Sequence, residues 1–157
     1  MLKTTKSWFN KTKNTDWIIK HALRTLLKKG DKQALAIFGL DNSRQIEVDN
    51  LKPSKSQINI GDYIHFDFDI VNTSKQERNI RLEYIVAFVK ANGSTSNKVF
   101  QISEFSLKSS STKHFSRKQW FKELSTRKHY PGEHKITLIV NGDEKSDIRL
   151  ILNSKTI

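Results

Sequence analysis

The periodicity of this chain changes once, between Leu40 and Gln45, and that switch constrains the fold more than any other feature. Before it, apolar residues recur with helical spacing; after it, they alternate every second residue. From Asn14, NTDWIIKHALRTLLKKGD predicts a strong amphipathic helix, with Asn14 or Thr15 as its cap and Gly30 as its stop. Asp16 falls in its first turn, Lys28 and Lys29 in its last. Asp31 then opens a short second helix, KQALAIF, ended by Gly39. Trp17, Ile18, Ile19, Ala22, Leu23, Leu26 and Leu27 spread over an apolar arc wider than one neighbouring surface covers. A lone helical hairpin cannot bury that much, so the segment reads as the end of a helix-pair array whose upstream repeats are missing.

Downstream, Gln45–Asp49 and Ser56–Ile60 are short predicted strands. Asp62–Asn72, DYIHFDFDIVN, is the clearest strand, with Ile64, Phe66, Phe68 and Ile70 on one face and His65, Asp67 and Asp69 on the other. Asn79–Lys90 places Ile80, Leu82, Tyr84, Val86 and Phe88 together. Ile85, Ala87 and Val89 make the other face of its second half apolar too, which predicts a strand covered on both sides there. Asn92-Gly93-Ser94 turns into Asn97–Ser106, and Thr112–Phe121 follows a polar loop. Tyr130-Pro131-Gly132 is a corner before His134–Asn141, and Asn141-Gly142 signals a hairpin into Asp147–Leu152. About seven short strands in this space fit an immunoglobulin-like β-sandwich, with a barrel as the alternative.

The formal net charge of +12 points to an anionic partner, nucleic acid ahead of an anionic membrane surface. The alternative is a basic protein with no polyanion ligand. Zero cysteines exclude disulfides, thiolate zinc sites and cysteine nucleophiles. No apolar run is long enough to span a bilayer, and MLKTTKSWFNK lacks the apolar stretch of a signal peptide, so a cytoplasmic location is expected.

The charge is localised. Residues 1–40 carry nine Lys or Arg against two acids, and residues 113–128 carry six against Glu123 alone. Lys20, Arg24 and Lys28 recur at i, i+4 and i+8, a stripe opposite Ile19, Leu23 and Leu26. It reads either as a solvated helix face or as a row of phosphate contacts. The second basic site, HFSRKQWFKELSTRKH directly after Lys113, interleaves Phe115, Trp120 and Phe121 with Arg117, Lys118, Lys122, Arg127 and Lys128, a pattern suited to nucleic acid. Two of its three rings are expected in the core. Arg127, Lys128 and His129, just before the Pro-Gly corner, are expected in an exposed loop as the foremost contact residues.

Little else carries chemistry. The histidines at 21, 65, 114, 129 and 134 have no HxH or HExxH spacing, so no metal site is expected, and His134 reads as structural. Asp67 and Asp69 lack a third ligand. No GxSxG or P-loop is present, and nothing assembles a nucleophile, a base and an oxyanion site. No cofactor is expected.

The segment TDWIIKHALRTLLKKGDKQALAIFGL resembles the last helical repeat of the AlkC-type DNA alkylation-repair glycosylases. LEYIVAFVKANGSTSNKVFQISEF and STRKHYPGEHKITLIVNG resemble the β-domain that follows it, and the likeness runs in order from about Lys6 to Gly142. The resemblance implies base excision repair: hydrolysis of the N-glycosidic bond of methylated bases such as 3-methyladenine, without flipping the base into a pocket. It also implies a concave, basic helical-repeat surface that holds the duplex, with an immunoglobulin-like domain reaching the DNA from the other side. The family's catalytic carboxylates and aromatics belong to earlier repeats, so no catalytic residue is carried over. Lys90, Asn92, Arg127, Lys128 and His129 fall in the matching motifs.

The expected architecture is therefore α+β: a terminal HEAT-like helical hairpin over residues 1–40, then an all-β immunoglobulin-like sandwich over 45–157. The leading reading is the DNA-binding C-terminal portion of an AlkC-like glycosylase, contacting double-stranded DNA through phosphates without sequence choice. The missing upstream repeats would act in cis or as a separate chain. A second reading has this chain, as an oligomer, excising bases itself. A third is a protein-interaction module whose helical hairpin docks on a partner through Trp8, Phe9, Trp17 and Phe38.

Overall fold

The computed structural model describes residues 13–40 and 43–155, with side chains from residue 18 onward. Among the described residues, three short helices precede the strands: α1 (Lys13–Ala22), α2 (Arg24–Lys28) and α3 (Lys32–Ile37). Trp8 and Phe9 lie outside the described residues, as do the side chains of Asn14, Thr15 and Trp17. The helix expected from Asn14 to Gly30 begins at Lys13 and is interrupted at Leu23, whose ψ opens to 5°. Leu23 nevertheless receives and makes i→i−4 bonds, to Ile19 at 3.0 Å and from Leu27 at 2.9 Å, so the hydrogen-bond ladder passes through the interruption.

Both helix stops are built by glycine. At Gly30 (φ 71°) the Asp31 N–H reaches the Leu26 carbonyl and the Gly30 N–H the Leu27 carbonyl. Gly39 (φ 70°) repeats the pattern, with Leu40 to Leu35 and Gly39 to Ala36. These are the 6→1 and 5→2 bonds that satisfy the last carbonyls of a helix. Asp31 caps α3 by accepting from the Ala34 N–H at 2.9 Å.

Eight strands follow: β1 (Ile46–Pro53), β2 (Gln57–Asn59), β3 (Tyr63–Asn72), β4 (Arg78–Val89), β5 (Thr95–Leu107), β6 (Thr112–Trp120), β7 (Gly132–Val140) and β8 (Asp143–Asn153). They form two separate sheets, β1-β3-β6 and β2-β8-β7-β4-β5, which selects the sandwich over the barrel. The pairings are antiparallel except β2 with β8. Ile64, Phe66, Phe68 and Ile70 of β3 are fully buried against Ile80, Leu82, Val86, Ile136, Leu138 and Val140 of the facing sheet. Asn141-Gly142 makes the β7–β8 turn with φ 49° and 82°, the two left-handed conformations a tight hairpin requires. The Asn141 amide ties that turn to β4, accepting from the Arg81 N–H at 2.8 Å and donating to the Asn79 carbonyl at 3.1 Å.

The helices rest on the outer face of the five-stranded sheet, at the end marked by this turn. Gly30 and Gly142 meet backbone to backbone: a Cβ on either would lie 3.2–3.3 Å from the other's Cα, and one on Gly142 would meet Leu35 at 2.8 Å. Lys32 bonds Asp143 at 2.6 Å, Ser43 donates to the same carboxylate, and Lys145 donates to the Ser43 carbonyl at 2.8 Å. Burial alone would raise the Asp143 pKa, but the bonds from Lys32 and Ser43 outweigh it and hold the carboxyl below its ordinary range.

This docking changes two expectations. Ile19, Leu23, Leu27, Leu35, Ile37 and Leu40 are buried, so the arc of the helices is not bare. Among the described side chains of the arc, Ile18 (59% exposed) and Ala22 stay open, and Leu26 and Phe38 are half-buried. On β4 the covered part of the outer face is the first half, carrying Arg81 and Glu83. Ile85, Ala87 and Val89 of the second half are only half-buried. The helices sit over the charges because acids there face their cations.

Candidate nucleic-acid interface

The sequence-identified basic residues fall into separate places. The helical stripe Lys20, Arg24, Lys28 lies at the helix–sheet junction. Lys20 forms an ion pair with Glu104 of β5, and Arg81 reaches the same carboxylate at 2.7 Å and Glu83 at 3.3 Å. Burial pushes the Glu83 carboxyl up, against the opposing pull of Arg81 and of Lys28. One of the three stripe cations, Lys20, is therefore engaged with an acid of β5, while Lys28 is exposed and acts on Glu83 only through space. Arg24 is exposed and, with Lys20, His21 and Arg81, borders a cavity of about 170 Å³.

The remaining cations gather on β6, its following loop and the β4–β5 turn. Thr112 to Trp120 is an edge strand whose inward row is Lys113, Phe115, Arg117 and Gln119, in register with Ile70, Phe68, Phe66 and Ile64. Charges turned inward on an edge strand oppose edge-to-edge pairing. Lys113 is exposed and lies 4.6 Å from the Phe105 ring centroid, at the helix end of the molecule. Arg117 is half-buried and donates to the Ile102 carbonyl at 2.8 Å, joining β6 to β5 across the open edge. Lys118 is exposed on the outer face, 4.3 Å from the Tyr63 ring centroid. Lys90 and Asn92 are exposed in the β4–β5 turn, where Asn92 caps the turn by accepting from the Ser94 N–H at 3.0 Å.

Residues 121–129 form a tight loop, pinned by the Leu124–Arg127 backbone pair and by Phe121, which is fully buried. Here the expected exposed triplet divides. Lys128 is exposed; Arg127 is half-buried, with its guanidinium 4.0 Å from the Phe88 ring centroid. His129 is not exposed at all: 4% of it is accessible, and it packs on Phe88 and Phe121. Burial holds its pKa below the ordinary imidazole range, opposed by a backbone hydrogen bond with Lys122. His129 is a structural residue of the loop and not a surface contact. His134 is likewise fully buried; its Nδ1 faces the Gly132 carbonyl at 3.2 Å and its Nε2 accepts from the Val89 N–H at 3.4 Å. Of the three rings weighed between core and surface, Phe121 is buried, Phe115 is half-buried and Trp120 is 41% exposed.

These elements surround a cleft of about 430 Å³ between β5 and β6. Tyr84, Phe88, Phe100, Gln119 and His129 line its inner part, with the Tyr84 hydroxyl donating to Gln119 at 2.8 Å. Lys98, Lys118, Lys122 and Arg127 stand around it with Trp120 and Leu124, and no carboxylate of the described residues lines it. Lys122 lies 4.1 Å from the Trp120 ring centroid, and Trp120 packs on Tyr63 at 4.7 Å. Trp120 is the ring of the basic segment that reaches the surface, whereas Lys98 lies outside the two basic sites read from sequence. Period two signals Lys98, since it shares a strand face with Phe100 and Ile102 and so stands at the lip of the core. The cleft and the helical stripe lie apart: Arg81 and Phe88 are seven residues apart on β4, roughly 23 Å at the rise of a strand.

Among the described residues no group of His, Asp and Glu is placed to hold a metal ion, and no helix is long and apolar enough to cross a membrane. Asp69 of the outer face is held low by hydrogen bonds from Asn50 and His114, at 2.8 and 2.7 Å.

Comparison with known proteins follows the same outline. Along 97% of its length the chain superposes on a DNA-bound structure of the Pseudomonas fluorescens alkylpurine DNA glycosylase AlkC, whose DNA contains an abasic site analog. The TM-score is 0.92 at 31% identity, and the match takes up 42% of that protein. The β-glucosidase of Listeria innocua shares only the fold, at 13% identity and a TM-score of 0.56 over 71% of this chain and 16% of that one. The uncharacterized protein YhaZ of Bacillus subtilis (strain 168) is 45% identical over 146 residues, 93% of this chain. The chain spans about two fifths (40%) of that relative's length. Residues 47–154 match the family described as the C-terminal Ig-like domain of the uncharacterised protein YhaZ. By the extent of that match, the chain belongs to the YhaZ C-terminal Ig-like domain family.

Proposed function

We propose that this chain is the DNA-engaging C-terminal portion of an AlkC-type alkylpurine glycosylase: a terminal HEAT-like repeat over residues 1–40 and an immunoglobulin-like domain over 45–157. The observation that carries the reading is the superposition along 97% of the chain on a glycosylase bound to DNA. The cation-lined cleft at this end of the sandwich supports it, because phosphate neutralisation supplies sequence-independent affinity. Lys90, Lys118, Lys122, Arg127 and Lys128 are the residues we assign to the backbone of double-stranded DNA. Arg24, Lys28 and Lys113, all exposed, can add to them, whereas Lys20, Arg117 and His129 serve the fold.

Base excision belongs to the part of such proteins that this chain does not match, and we place those upstream helical repeats, in cis or as a separate chain, against the open Ile18–Ala22 strip. The setting we propose is cytoplasmic base excision repair. Fluorescence anisotropy with a labelled 20-base-pair duplex tests the reading. The affinity expected is about 10⁻⁴ to 10⁻⁶ M at physiological salt. Charge reversal at Lys118 and Lys122 together should weaken it at least tenfold, and methylated DNA should lose no bases to this chain alone. Failure of the duplex to bind, or indifference to the charge reversals, overturns the reading; excision by the chain itself overturns the placement of catalysis.

A further inference from the structure

The cleft between β5 and β6 has a shape that backbone contacts with a duplex do not require. Phosphates of a double helix are met by cations on an open surface, yet here four cations surround a concavity whose inner wall is aromatic. Its volume, about 430 Å³, lies at the lower end of the range of small-ligand pockets. A duplex cannot enter such a space; one base with its sugar can. Phe100 is half-buried beside Lys98, whose ammonium stands 5.1 Å from its ring centroid. Trp120 and Tyr63, each about two fifths exposed, extend the aromatic surface outward beneath Lys118 and Lys122.

The wall also contains an unused polar atom. His129 Nδ1 is buried and has no hydrogen-bond partner among the described residues, although the ring lines the cleft. Buried polar atoms without a partner are rare in native structures, and every common nucleobase carries both donors and acceptors on its pairing edge.

We propose that the β5–β6 cleft takes an unpaired nucleotide of a DNA strand, its base against the Trp120 and Phe100 rings and its flanking phosphates on Lys98, Lys118, Lys122 and Arg127. The proposal rests on the DNA-binding reading and deepens it: the same end of the domain engages DNA, and the cleft prefers strands with a base out of the stack. Ring stacking with a rim of cations is the general chemistry of single-strand recognition, and it tolerates any base.

The test compares a labelled ten-nucleotide oligo(dT) with a ten-base-pair duplex on the full chain. Oligo(dT) should bind, and Trp120→Ala should lower its affinity relative to that of the duplex about tenfold or more. Trp120→Phe should restore most of that ratio, which separates stacking from misfolding. Binding of duplex but not of oligo(dT) overturns the proposal and leaves the duplex reading standing. An unchanged ratio in Trp120→Ala overturns it as well. If neither nucleic acid binds, both readings fall.

Discussion

Replacing Gly142 by alanine tests whether the helices and the sandwich are one packed unit. Two effects separate. Gly142 holds φ 82°, a conformation costing an L-residue about 1–2 kcal/mol. Its new Cβ would also stand 2.8 Å from a methyl of Leu35 and 3.2 Å from the Cα and O of Gly30. Leu35 is fully buried, and Gly30 is fixed by the bonds that end α2, so neither yields easily. Overpacking of this kind costs about 1–3 kcal/mol. Gly93 is the matched control: its φ is 83°, and a Cβ there meets nothing within 4 Å. Gly93→Ala should therefore cost only the backbone part. Urea unfolding followed by far-ultraviolet circular dichroism gives each value by linear extrapolation. Gly142→Ala is expected to exceed Gly93→Ala by about 1–3 kcal/mol. In a double-mutant cycle, Leu35→Ala should recover part of that excess, with a coupling of at least about 0.5 kcal/mol. Equal losses in the two glycine variants, with no coupling to Leu35, refute the docking of the helices through this contact.

Other perturbations follow from the buried charges and histidines. Arg81→Ala leaves Glu83 buried and Glu104 without its guanidinium partner; loss of one partner of a buried pair costs about 3–5 kcal/mol, read from the urea midpoint. A loss below 1 kcal/mol would mean that the cluster is hydrated. His129 and His134 are both pushed below the ordinary imidazole range by burial. The folded state thus binds fewer protons than the unfolded chain once the pH drops below about 6.5. Their contribution is complete above that value and is lost as the pH falls through the folded pKa. The melting temperature should fall between pH 7 and pH 5, less steeply in His134→Gln, which keeps a donor and an acceptor for Gly132 and Val89. A flat profile, or one that rises toward pH 5, contradicts this.

What could be read in the sequence was local. β3 alternates so strictly that Ile64, Phe66, Phe68 and Ile70 identify themselves as core, and Asn141-Gly142 and the glycines after each helix mark turns by backbone chemistry alone. What could not be read depends on distant partners. Lys20 looks free until Glu104, 84 residues away, is placed beside it. His129 looks like part of a basic loop because nothing nearby says that Phe88 of β4 and Phe121 at the start of the loop close around it. The cleft joins Lys98 of β5 to Lys118 and Trp120 of β6, strands paired within different sheets, so its cations are scattered in sequence. Of the outer face of β4, the apolar half invited a cover, but the docking charges of the helices selected the polar half.

The affinity of this chain for a short duplex, measured from 50 to 200 mM salt, tests the central claim most directly. With the five cations assigned to the DNA backbone all engaged, log K should fall against log salt with a slope of about −4 to −5, at roughly −0.9 per neutralised phosphate. Each charge reversal among Lys118, Lys122 and Lys128 should make that slope shallower by about one. A slope near zero, or no binding at 50 mM salt, would contradict the account.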